Sequence, residues 1–348
     1  MGHTSLATYT GLAGFCAGMA FSCISLTALH EAVLRRAGHV PAIVDDEALW
    51  CVARRQVATL GNDDVLLLGA SRMQTDIDEA TMTEALSGRR IINLAVSGGG
   101  TSLPVLWDII RNTRFAGLII VDETEDTMAT DFVREQLFVD TFAHTFTLDA
   151  LVNREIGTWL QSRLVCLGPG EACTAVWPRI AARGKIPRPK PNVTSASRYT
   201  RADYSLVDPA LLAEIRRGRL RIPWPATEIP RVADAAVMRW SDPIRVFQAR
   251  GGRVVFVRLP VSRELWEMED LDAAASLAWQ RIMQQLAVPS IICNGDPAAS
   301  LGELRVMDHS HLDVSDTKRF TAWLCKRLCD IQVLEPCLNS SHEPASQR

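Results

Sequence analysis

Ser71, Asp308 and His311 are the residues of this sequence whose types and settings suit chemistry. Ser71 follows the run Val65-Leu66-Leu67-Leu68-Gly69-Ala70. A serine hydroxyl becomes a nucleophile only with a base to take its proton and donors to hold the oxyanion it creates. Asp308 and His311 stand three apart, a spacing that can bring both side chains to one face. An aspartate beside a histidine fixes the ring tautomer and leaves its other nitrogen free to accept a serine proton. The loop Val96-Ser97-Gly98-Gly99-Gly100-Thr101-Ser102 is rich in backbone N–H groups, so the amides of Ser71 and Gly98 are the candidate oxyanion donors. Blander roles compete: Ser71 as a helix N-cap, Gly98 as a tight turn, His311 as a surface residue capping the last helix. His309 is one residue off the spacing and reads as a bystander. Asp308, His309 and His311 lack further metal ligands at suitable spacing, so neither metal nor cofactor is expected.

The elements that would position these residues follow from the pattern. Leu66 to Leu68 are apolar on both faces, as in a strand buried between two helical layers. Gly69 and Ala70 let the chain turn, leaving Ser71 at the carboxyl edge of the strand, where open α/β sheets carry their ligands. Residues 40–60 read as an amphipathic helix with Trp50 and Val52 inward, and 78–86 as a helix ended by Gly88. Strands are expected at 91–95, 117–121, 254–260 and 290–294, and helices at 103–112, 271–286 and from Ser315, the last with Phe320, Trp323, Leu324 and Leu328 inward. This alternation predicts a three-layer α/β/α fold with a mostly parallel five-stranded sheet. Between about 128 and 235 it breaks into helical and Pro-rich sequence, read as an insertion between strands three and four. Its tryptophans Trp159, Trp177 and Trp224 are expected in the core. The acidic run 122–126 is expected to be a solvated loop.

Residues 11–29 contain no charge, and at ~1.5 Å per residue the segment can just cross a ~30 Å hydrocarbon core. Residues 1–36 are read as a membrane anchor, against a cleaved signal or a buried soluble helix. A signal would want a basic start, and none is present. Gly14 and Gly18 form a small-xxx-small pair, a spacing frequent by chance. Arg35 and Arg36 follow the segment, so the positive-inside rule favours a cytoplasmic body. The rest forms one α/β domain over 37–335, with a polar tail at 336–348. Length, the 47% apolar share and the net charge of −3 suit a globular protein and give no reason for a nucleic-acid partner. Nine cysteines are too few for a disulfide scaffold; Cys166 could pair with Cys173, and Cys325 or Cys329 with Cys337.

Three blocks in this order resemble the SGNH (GDSL-like) hydrolase superfamily. Gly69-Ala70-Ser71 is similar to its first block, Asn93-Leu94-Ala95-Val96-Ser97-Gly98 to its second, and Asp308-His309-Ser310-His311 to its last. The resemblance covers about residues 60–330. It implies a flavodoxin-like sheet and a Ser71–His311–Asp308 triad, with an oxyanion hole from Ser71 and Gly98. The chain departs from the family after the third strand: Asp122-Glu123-Thr124 stands where an oxyanion-binding asparagine is usual.

The resulting expectation is a serine-dependent esterase or O-acyltransferase working through an acyl-Ser71 intermediate. The anchor resembles the membrane-attached branch that acylates exopolysaccharide, which implies an acyl donor or acylated glycan as partner. It also implies an extracytoplasmic domain, against the arginine count. Arg72, Thr124 and Arg258 are candidate substrate contacts. The alternative is a catalytically degenerate scaffold or glycan-binding protein of the cell envelope, favoured by the missing asparagine. A nucleotide-binding protein is discounted because neither dinucleotide nor P-loop glycine signature is present.

Overall fold

The computed structural model describes residues 6–86, 88–131, 134–219, 226–270, 273–294 and 304–334. In chain order come α1 (Leu6–Arg36), α2 (Glu47–Gln56), β1 (Val65–Leu68), α3 (Ser71–Thr75), α4 (Glu79–Ala85), β2 (Ile91–Asn93), α5 (Leu103–Asn112) and β3 (Leu118–Asp122). Then follow α6 (Glu125–Ala129), α7 (Arg134–Asp140), α8 (Leu148–Gln161), α9 (Cys173–Arg183), β4 (Asn192–Thr194), β5 (Thr200–Ala202), α10 (Pro209–Arg219) and α11 (Ile229–Ala249). The chain returns to the sheet with β6 (Arg253–Arg258), α12 (Arg263–Asp270), α13 (Ala273–Leu286), β7 (Ser290–Ile292) and α14 (Val314–Asp330). Trp224, Cys337 and the tail at 336–348 lie outside the described residues.

Five strands pair in parallel in the order β2-β1-β3-β6-β7. Side chains alternate between the two faces, as the pleat requires. Leu66, Leu68, Ile119, Val121 and Phe256 pack with Trp50, Leu106, Trp240 and Phe247. Val65, Leu67, Leu118, Ile120 and Val255 pack on the other side with Met82, Phe320, Leu324 and Leu328. All four β1 side chains are buried, each burial worth about 1.5–3 kcal/mol. The expected α/β organisation with helices on both faces is therefore present. The inward residues of the last helix are also where its periodicity put them.

Some finer expectations are corrected. Val52 is only partly buried; the inner face of α2 instead carries Cys51 and Arg54, the latter paired with Asp108 inside the protein. Asp122, Glu123 and Glu125 are buried, so 122–126 is not a solvated loop. It continues β3 into α6, and Asp122, Glu123 and Glu125 meet backbone amides or arginines. Trp159 and Trp177 are exposed and do not belong to the core. Among the described cysteines no disulfide forms, Cys166 and Cys173 included.

The insertion holds helices α7 to α10, the start of α11 and one small antiparallel hairpin, β4–β5. Arg198, fully buried in the hairpin turn, ties it to the sheet end. Its guanidinium donates to the Asp45 carboxylate at 2.7 and 3.1 Å, to Asn93 O at 2.9 Å and to Ala95 O at 2.8 Å. α1 is one continuous helix whose apolar window, with a mean hydropathy of 1.4, is only 11% buried. That excludes a buried soluble helix over this window. By length and composition the segment can cross a membrane.

Candidate active site

The site forms at the carboxyl end of β1, beside the β1/β3 point where the strand order reverses, the usual ligand position in open parallel sheets. Gly69 makes the exit from β1 possible. It sits at φ +144, and a Cβ there would lie 2.9 Å from the Asp122 carbonyl oxygen. Ala70 caps α3 in an extended conformation and Ser71 is the first helical residue, so the Ser71 amide belongs to the unpaired first turn.

His311 comes from the loop before α14. Its Nε2 lies 2.8 Å from Ser71 Oγ, and its Nδ1 lies 2.9 Å from Asp308 Oδ2. With Nδ1–H donating to the carboxylate, Nε2 is left to accept the serine hydroxyl. The backbone fixes this loop. Asp308 Oδ1 accepts from the N–H groups of Ser310 at 3.1 Å and His311 at 2.8 Å. Leu312 N–H donates to Asp76 Oδ1 at 2.9 Å, and Asp78 N–H to Thr321 Oγ1 at 2.8 Å. The segment after Ser71 thus clasps the segment around His311 directly.

Two insertion residues also reach Asp308. Arg219 Nη1 lies 2.9 Å from Asp308 Oδ2 and 3.0 Å from His311 Nδ1. Because Nδ1 already carries a proton for the carboxylate, the Arg219 N–H serves the carboxylate as well. The Tyr204 hydroxyl donates to Asp308. Burial works against the Asp308 charge, but His311, Tyr204 and Arg219 outweigh it and hold the carboxyl well below the usual carboxylate range. Asp76 is shifted the opposite way: its burial dominates the Leu312 hydrogen bond and the Arg72 charge, raising it well above an ordinary aspartate.

The glycine loop faces the same cleft. Gly98 adopts φ +67, a conformation that favours glycine. Arg134 Nη1 donates to Ser97 O at 3.0 Å and Gly98 O at 3.4 Å, while Glu135 accepts from Gly100 N–H at 3.1 Å. Further along, Glu123 accepts from Ser102 N–H at 2.6 Å. Burial pushes the Glu123 carboxyl up to about 8, against the hydrogen bonds from Thr127 and Ser102.

A cleft of about 730 Å³ is lined by Ser71, Gly98, Asp308 and His311 together. Arg134 and Asn192 contribute polar wall, while Leu211 and Ile215 of α10 contribute apolar wall. The structure therefore brings together every expected triad and oxyanion residue. Arg72, Thr124 and Arg258 do not line this cleft, which corrects their expected substrate role. Arg72 pairs with buried Asp122 at 3.1 Å, and Arg258 pairs with Glu125 at 3.1 Å beneath Trp266. Thr124 caps α6 through Thr127. His309, at φ +71, is turned to Ser262 Oγ at 2.6 Å. Sequence reading missed Asp76, Arg134, Glu135, Tyr204 and Arg219, none of which carries a local signal. Only the insertion at about 128–235 advertised that something would cover the sheet edge.

No protein-family model matches the chain, and no curated protein matches it. Among solved structures, a chain described as "a putative platelet activating factor from Streptococcus pneumonia" is similar over 90% of this chain and 98% of that one. The identity is 11% and the TM-score 0.37. A likeness at that level decides nothing about activity, so the site is read from its own geometry.

Proposed function

We propose that the chain is a serine-dependent esterase or O-acyltransferase of SGNH type. The observation that carries this reading is the continuous contact from Ser71 Oγ to His311 Nε2 at 2.8 Å and from His311 Nδ1 to Asp308 Oδ2 at 2.9 Å. The strand order β2-β1-β3-β6-β7, with Ser71 directly after β1, agrees with a flavodoxin-like sheet of that superfamily. Ser71 Oγ attacks the acyl carbon while its proton passes to His311 Nε2. The carbonyl oxygen becomes an oxyanion held by the amides of Ser71 and Gly98. Collapse breaks the bond to the leaving alkoxide, which takes the proton from His311, and acyl-Ser71 remains. Water or a sugar hydroxyl then attacks the acyl carbon, giving its proton to His311, which returns it to Ser71. An acylated cell-envelope glycan and an extracytoplasmic site are part of the same reading.

A fluorophosphonate probe tests it. Labelling of the full chain at Ser71 is expected, with loss of on the order of 10³-fold or more in ester turnover for Ser71→Ala and His311→Ala. Labelling that persists in Ser71→Ala removes the assignment. The second reading, a catalytically degenerate glycan-binding scaffold, is favoured by one observation. No asparagine follows β3, and Thr124 is engaged with Thr127. Glycan binding without turnover, unchanged in both variants, would select it.

A further inference from the structure

The apolar residues of α8 do not turn inward as a group. Leu148, Val152, Ile156 and Trp159 recur at intervals of four, four and three, which places them along one stripe of a helix, and each is between 46% and 69% exposed. Contiguous apolar surface of this kind on a soluble domain marks a site that something covers. Trp177 of α9, also exposed, adds to it.

What lies beside this surface identifies the cover. α1 is exposed along Phe15, Met19, Phe21, Ile24, Leu26 and Leu29, and its burial begins at His30. From there it docks on the insertion. His30 Nε2 contacts Glu171 O at 2.8 Å, Glu31 accepts from the amides of Val165 and Cys166, and Leu34 packs with Val165 and Val176. Both exposed tryptophans stand at this level of α1. The Trp177 ring is 6.1 Å from the His30 ring. The Arg163 guanidinium lies 4.3 Å over the Trp159 ring, and the carbonyl of the same Arg163 accepts from Arg35. Arg35, Arg36 and Arg163 are exposed and rim this level; Glu31 pairs with Arg35 at 2.7 Å, so the net positive charge of this rim comes from Arg36 and Arg163. An apolar helix that becomes a docked helix where two tryptophans and three arginines gather has the arrangement of a bilayer boundary.

We propose that α8 is an interfacial helix: its stripe rests on the bilayer that α1 crosses, with Trp159 and Trp177 among the lipid headgroups. This rests on the reading of α1 as a membrane anchor, and it holds on either side of the membrane. The occupant is lipid, because the apolar stripe and the cationic rim together match acyl chains and anionic headgroups. Exposed Asp149 and Glu155 flank the stripe on its two edges, with Asn153 further round the helix, which limits how deep α8 sits.

The test uses the full chain in vesicles of phosphatidylethanolamine and phosphatidylglycerol, with Cys16, Cys23, Cys173, Cys329 and Cys337 replaced by serine. A polarity-sensitive fluorophore is placed in turn at Ile24→Cys, Ile156→Cys and, as a control on α11, Met238→Cys. The label at 156 should be quenched by headgroup-level lipid nitroxides and be roughly threefold less accessible to aqueous iodide than the label at 238. If 24 is quenched by lipid but 156 is as open to iodide as 238, α1 inserts and the α8 proposal is overturned. If 24 itself stays in water, the anchor reading fails and takes the proposal with it. Shielding of 156 by a second copy, shown by 156–156 cross-links without lipid quenching, also overturns it.

Discussion

His311 meets Ser71 and Asp308 through opposite ring nitrogens, and Arg219 adds a positive charge to the same carboxylate oxygen. The Asp308 charge fixes the tautomer that leaves Nε2 free to accept. An amide at 308 would offer an N–H or a weaker acceptor there, so Asp308→Asn is expected to lower turnover of a chromogenic acyl ester by about 10³–10⁴-fold while the fold is kept. Unchanged turnover would exclude the triad. The linkage has a definite sign. Asp308 titrates below its unfolded value, so its contribution to stability is present above an ordinary aspartate pKa and is lost as the pH falls through and below that range.

The element that matters most to the oxyanion site is the glycine loop after β2, gripped by α7. A Cβ on Gly99 would collide with the Glu135 carboxylate and lie 2.8 Å from the Val96 carbonyl oxygen. Gly99→Ala should therefore cost about 1–3 kcal/mol and depress turnover, because the loop must move to fit. Chemical denaturation and ester kinetics on one preparation measure both, and a stable, fully active variant would show that the loop's position is unimportant. The clasp between α3 and the His311 loop has the same logic. Buried Asp76 receives the Leu312 amide, so the position of His311 depends on a side chain more than two hundred residues away. The exposed stripe of α8 is an element-scale feature too: its period is helical, but among the described residues no other helix or strand buries it.

At the scale of the whole molecule, buried carboxylates lie beneath the sheet edge that carries Ser71. Glu123 is the clearest, its carboxyl raised by burial to about 8 in the folded chain. A raised acid favours the folded state while it is protonated. Its contribution is complete below the unfolded value and is lost as the pH rises through about 8. Glu123→Gln, which can still accept from Ser102, should gain on the parent by roughly 1.4 kcal/mol per pH unit between the two values. Parallel denaturation curves at pH 5, 7 and 9 measure it, and a constant difference would mean that Glu123 is already charged in the fold. Asp76 and Asp122 are raised by burial as well, so as the pH rises above the ordinary aspartate range the parent should lose more stability than Glu123 alone implies.

The amino-acid sequence alone determined the sheet and its chemistry-bearing edge. A strand such as Leu66-Leu67-Leu68, apolar on both faces, has nowhere to lie except between two layers, and the glycine after it dictates a turn. The Asp308–His311 spacing was legible for the same reason, since three residues of one turn carry their own geometry. Only the tertiary structure decided that Ser71 and His311 meet, that Asp76, Tyr204 and Arg219 hold the dyad, and that Arg72, Thr124 and Arg258 are spent on buried partners or a helix cap. Those contacts join positions far apart in the chain, and a charged residue looks the same in sequence whether its partner is a substrate or a buried carboxylate. Trp159 shows the limit most simply: helical periodicity reveals that a face is apolar, whereas what covers that face depends on where the rest of the chain, and the solvent around it, come to lie.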